Sequence, residues 1–122
     1  MASIIEVTNW ANYFKDFSAK NLKRAVKLEI FGESGALETV KKLPFAGIYV
    51  ETEGANTPRV EILLGGLSAT KIEYLTHTIL NVRKVLAFSE NDRLDNALEF
   101  ESADGTKTLL SFEIRAAETV MA

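Results

Sequence analysis

Only one stretch of this chain spaces its apolar residues as a helix does. In "TNWANYFKDFSAK", residues 8–20, Trp10, Tyr13, Phe14 and Phe17 fall at i, i+3, i+4 and i+7. Four aromatic rings therefore share one stripe, while Asn12, Lys15 and Asp16 take the other side. After Asn21 the period drops to two. A chain with a single greasy helix and a long series of half-apolar strands has few ways of burying both, and the direct one is to lay the helix stripe across a sheet. Thr8 or Asn9 stands where a side-chain oxygen can accept from the first-turn amides, as an N-cap does.

The strands follow from alternation. In "RAVKLEIF" the residues Val26, Leu28 and Ile30 share one face, with Lys27 and Glu29 on the other. "GESG" reads as a turn into "ALETVKKL", which is expected to be an edge strand ended by Pro44. "FAGIYVETE" places Ala46, Ile48 and Val50 on one face; beyond the loop "GANTP", "RVEILLGG" turns Val60, Ile62 and Leu64 inward. Gly65 and Gly66 read as a turn. Two more extended runs follow, "KIEYLTHTI" and "VRKVLAFS", with Asn81 between them, and then the polar connection "ENDRLDN", where a short helical turn fits. The last pair, "ALEFES" and "TKTLLSFEI", flanks "ADGT". Asp104 and Gly105 are expected to supply the positive φ angles of a tight hairpin, with Leu98, Phe100, Leu110 and Phe112 alternating inward.

The expected architecture is α+β but mainly β. One N-terminal amphipathic helix packs on a strongly curved antiparallel sheet of seven or eight strands, in a single domain over residues 1–122. Alternation alone leaves closure into a barrel open. At 122 residues, folding hides roughly two thirds of the surface of the extended chain, enough for one core.

Composition narrows the function. The chain is 47% hydrophobic and 25% charged, ordinary proportions for a globular protein. With no cysteine it has neither disulfides nor thiolate metal sites, which favours the cytoplasm. No secretory leader pattern opens the chain, and no apolar run reaches the roughly 20 residues that span a bilayer. A formal charge of −3 disfavours nucleic acid as a partner. The local exception is "KNLKRAVK", with Lys20, Lys23, Arg24 and Lys27, which reads either as a phosphate-binding patch or as a solvated helix–strand junction.

Candidate chemistry centres on the one histidine. In "YLTHTIL", parity puts Leu75, His77 and Ile79 on one face and Tyr74, Thr76 and Thr78 on the other, so the imidazole sits beside apolar neighbours. His77, with Tyr74 and Thr76 near it, is the candidate pocket. A lone histidine without cysteine makes a metal centre improbable, and the paired acids Glu99 and Glu101 fit a solvated strand face better than a cation site. No metal and no cofactor are expected. "GESG" lacks the spacing of a nucleophile elbow. Phe31, Tyr49, Leu63 and Tyr74 lie opposite the core stripes of their strands, and such a second apolar face wants cover. Trp10, Phe31, Tyr49 and Leu63 are the candidate interface, and a homodimer is the expected assembly.

The segments "NWANYFKDFS", "LPFAGI", "VEILLGG", "LTHTI" and "ALEFESADGTKTLLSF" together resemble a family of short bacterial proteins classed as a domain of unknown function. The likeness runs from about Trp10 to Phe112 and is most specific in the final hairpin. It implies a one-domain bacterial protein and brings no activity with it. Two functions of different class remain: a non-enzymatic cytoplasmic module binding protein or ligand, and a small enzyme or ligand-binding barrel with His77 in its pocket. The absence of a second histidine, of cysteine and of any cofactor fingerprint favours the first.

Overall fold

The helical stripe becomes helix α1, Trp10–Asn21, in a computed structural model that describes residues 2–32, 35–67, 72–88 and 97–112. Trp10, Phe14 and Phe17 are buried and Tyr13 is half-buried. Phe14 meets Phe100 at 5.9 Å between ring centroids, and Phe17 meets Phe45 at 5.8 Å and Phe112 at 5.4 Å. The helix thus covers the sheet through its aromatic face. The expected N-cap is not made. Asn9 holds that position with helical backbone angles and no side-chain bond, because a 3-10 turn, Val7–Asn9, runs straight into the helix. The carbonyls of Glu6 and Val7 serve the amides of Asn9 and Trp10 instead.

The strands are β1 (Ala2–Ile4), β2 (Ala25–Gly32), β3 (Gly35–Glu51), β4 (Arg59–Leu67), β5 (Ile72–Ile79), β6 (Val82–Phe88), β7 (Ala97–Ser102) and β8 (Lys107–Phe112). They form one antiparallel sheet in the order β1-β6-β7-β8-β2-β3-β4-β5, curled but not closed. Val26, Leu28, Val60, Ile62, Leu64, Leu98, Phe100 and Leu110 fill its concave side, each at most 1% exposed. Inward alternation is therefore as expected in β2, β4, β7 and β8.

Pro44 does not end a strand, and "ALETVKKL" is not a separate edge. Both belong to β3, whose 17 residues pair with β2 over Gly35–Pro44 and with β4 over Phe45–Glu51. Pro44 lies opposite Ala25, the first residue of β2, so its missing amide falls where one ladder stops and the next begins. A register slip between Phe45 and Gly47 turns the strand at this seam. It also lets Phe45 and Ile48, three residues apart, both point into the core at 1% and 2% exposure, with Ala46 and Val50 half-buried.

Beyond the seam, the edge of β3 that β2 had occupied faces α1. The Ile48 amide donates to Ser18 Oγ at 3.0 Å. Where helix meets β2, Asn21 Nδ2 donates to the Phe17 carbonyl at 2.9 Å and Arg24 donates to Asn21 Oδ1 at 2.8 Å. The Arg24 guanidinium lies 4.6 Å over the Phe112 ring.

Two turns differ from expectation. Gly65 and Gly66 do not reverse the chain; they continue β4, paired with Tyr74 and Glu73. In the final hairpin only Gly105 has positive φ, at 90°. The Gly105 amide reaches the Ser102 carbonyl at 3.0 Å and that of Ser102 reaches Thr106 at 2.9 Å, so the turn is wider than a two-residue one. Asp104 contributes its side chain, which accepts from the Thr106 amide at 2.9 Å. The middle of "GESG", the end of "GGLSAT" and the whole of "ENDRLDN" lie outside the described residues.

Candidate functional site

Strand parity decides where each candidate residue points. On β5, Tyr74, Thr76 and Thr78 are exposed, whereas Leu75 and His77 are half-buried and Ile79 is buried. His77 stands opposite Ile62 of β4, on the concave side. The curl of the sheet brings this end of β5 towards β2 and the β7–β8 hairpin, leaving a cleft of about 210 Å³. His77, Ser102, Asp104 and Thr108 bring its polar groups, and Ile30 and Ile79 its apolar wall.

The candidate pocket is thereby divided. Its histidine lines a cleft; Tyr74, 74% exposed, and Thr76 stand on the other side of the same strand. The cleft has a carboxylate, Asp104, and no tyrosine in its lining. Hydrogen bonds from the Thr106 backbone amide, then from the Thr106 hydroxyl, hold the Asp104 carboxyl below its ordinary value. Ser102 and Thr108 are buried at 6% and 1%. Both were legible as polar residues on the inward parity of β7 and β8, two positions beyond Phe100 and before Leu110. Among the described residues no group of three or more histidines and acids gathers as a metal site would.

The candidate interface is divided too. Trp10 is only 3% exposed and its Nε1 donates to the Ile5 carbonyl at 2.8 Å, so it is a core residue and offers nothing to a partner. The ring had to be buried because it continues the Phe14–Phe17 stripe. Phe31 is half-buried near the far end of β2, remote in register from the others. Tyr49 and Leu63 do come together on the convex face of β3–β4–β5. Leu63 is paired with Gly47, and the Tyr49 ring lies across that glycine, so that a Cβ there would stand 3.1 Å from it. Tyr74 is opposite Gly65 on the neighbouring strand, two positions along β4 from Leu63. The result is a diagonal of Tyr49, Leu63 and Tyr74 with Glu61, Thr76 and Thr78 around it.

The basic run is dispersed. Lys20 approaches Asp16 at 3.7 Å, Lys27 approaches Glu29 at 3.6 Å, and Arg24 is buried at 7% exposure. Glu101 meets Arg83 at 3.6 Å and Lys107 at 3.9 Å on a half-exposed face. No described helix is long and apolar enough to cross a membrane.

No curated protein and no solved structure matches this sequence. A family model does, described as "Family of unknown function (DUF5335)", and its match takes in residues 1–120. The chain, with its one aromatic helix on a curled antiparallel sheet, belongs to that family.

Proposed function

We propose that this protein is a non-enzymatic interaction module of the bacterial cytoplasm, and that it works as a homodimer joined through the convex face of β3–β4–β5. The carrying observation is the exposure of Tyr74 and Tyr49, 74% and 55%, on one face with Leu63 between them. Tyrosines give broad, rigid, amphipathic contact at low cost in side-chain entropy, and interface centres are rich in them. A patch centred on one diagonal can meet its own copy about a two-fold axis, Tyr49 against Tyr74 in both directions. The cytoplasm is supported by the lack of cysteine, and a bacterial origin by the resemblance of the "LTHTI" and final hairpin segments.

Sedimentation equilibrium tests the reading. The wild-type chain is expected to sediment as a dimer at tens of micromolar. Tyr74→Asp, at this exposed position, should give a monomer with an unchanged circular dichroism spectrum. A wild type that stays monomeric at those concentrations sinks the proposal.

A second reading has its own observation, the polar cleft at His77. Ligand pockets usually run from about 300 to 1,000 Å³, and 210 Å³ is below that range. The cleft suits a few heavy atoms. Screening small carboxylates and phosphates by NMR against wild type and His77→Gln is the check; shifts around Ile79, Ser102 and Thr108 present only in the wild type would raise this reading above the first.

A further inference from the structure

The open edge of β3 beside α1 has the features of a strand-receiving groove. β2 stops at Ala25, opposite Pro44, so from Ile48 to Glu51 β3 is paired on the β4 side alone among the described residues. The bond from the Ile48 amide to Ser18 fixes the direction of these backbone groups: Ile48 points away from β4. Residues in an antiparallel ladder alternate between hydrogen-bonded and non-bonded pairs. Ile48↔Ile62 is therefore a non-bonded pair, and so is Val50↔Val60 two positions on. Val50 must turn both its N–H and its C=O to the open edge. Ser18 satisfies the first donor of that edge, and the helix offers no such hydroxyl at Lys15, one turn earlier, or at Ala11, two turns earlier.

Between helix and edge is a groove of about 510 Å³, lined by Ala11, Phe14, Lys15 and Ser18 from α1 and by Ile48, Tyr49 and Val50 from β3. Ala11, Phe14, Lys15 and Ser18 repeat at i, i+3, i+4 and i+7, a second helical stripe beside the aromatic one. Two of its residues are small, which keeps the backbone edge accessible. Lys15 is the one charged residue in the lining.

We infer that this groove binds an extended acidic peptide segment of another protein, which adds as a strand to β3 at Val50 and sets a carboxylate against Lys15. Backbone complementarity supplies the register, since an added strand exchanges hydrogen bonds with Val50. The exposed Ala11 and the half-buried Val50 offer the apolar contact for an alternate side chain, and the next residue faces the lysine. The groove shares Tyr49 with the tyrosine diagonal, but its backbone edge at Val50 and its lysine are its own, so Lys15→Glu tests this inference and Tyr74→Asp tests the dimer.

The probe is an N-acetylated, C-amidated hexapeptide alternating valine and glutamate, added at millimolar concentration to the full chain and followed by amide NMR. Expected are shifts at Ala11, Lys15, Ile48 and Val50 and slowed hydrogen exchange at Val50. Lys15→Glu should weaken binding about two- to fivefold, the scale of one exposed ion pair. The same peptide N-methylated at alternate residues should not bind. Absence of shifts at those four amides, or equal binding of the N-methylated peptide, overturns the inference. So does a Val50 amide already protected without peptide: protection independent of concentration would mean the edge is covered by the same chain, and protection growing with concentration would mean a second copy.

Discussion

Arg24 illustrates how a residue's role is set by parity more than by its neighbours in sequence. Within a basic run it looks like one of four surface cations; counted along β2 it shares the inward phase of Val26 and Leu28, and the fold buries it against Phe112 and Asn21. Asn21→Ala removes the acceptor beside that buried cation and should cost about 1–3 kcal/mol, seen as a lower urea midpoint with unchanged slope. Asn21→Asp keeps the acceptor and should cost less. Asp104 gives a pH effect with a definite sign. Its folded pKa is lowered by the Thr106 bonds, so the stability it contributes is complete above the ordinary aspartate range. It is lost as pH falls through the lowered folded value. Urea midpoints from pH 6 downward should decline through that window in the wild type, and Asp104→Ala should remove that part of the decline. The half-buried placement of His77 on the concave face was likewise legible from alternation. Its companions were not, because Ile30, Asp104 and Thr108 reach it across the curl of the sheet, and no local pattern in the chain encodes that approach.

At the scale of elements, α1 and the strands were legible where a period ran uninterrupted, and illegible where one was broken on purpose. The four-ring stripe of α1 needs nothing beyond its spacing. β3 defeats a local reading because proline, the usual sign of an ending, sits at the one place in the strand where no donor is needed, and the slip at Ala46 inverts the phase that follows. Gly65 and Gly66, turn formers by habit, remain in β4 because its pairing with β5 continues past them. The helix depends on the sheet as much as the sheet on the helix. Phe14, fully buried between Trp10, Tyr13 and Phe100, is the joint. Phe14→Ala should lower unfolding free energy by about 3–5 kcal/mol, a large share of the 5–15 kcal/mol typical of a domain, and calorimetry would register it as a markedly lower Tm.

For the whole molecule, the curl matters more than the strand count. Because the sheet bends without closing, it has a concave side that forms the core, a convex side with exposed tyrosines, and a strand edge left beside the helix. The first is satisfied within the chain; the other two are where partners are proposed. β3 pairs with β2 along its first part and with β4 along its second, and its mid-point seam has a larger meaning. Severed between Glu51 and Arg59, the part before the cut would bare the Ile48 side of its core, and the part after it would lose the strand that fixes β4. Neither side of the seam can therefore be exchanged for a foreign segment without refitting the other.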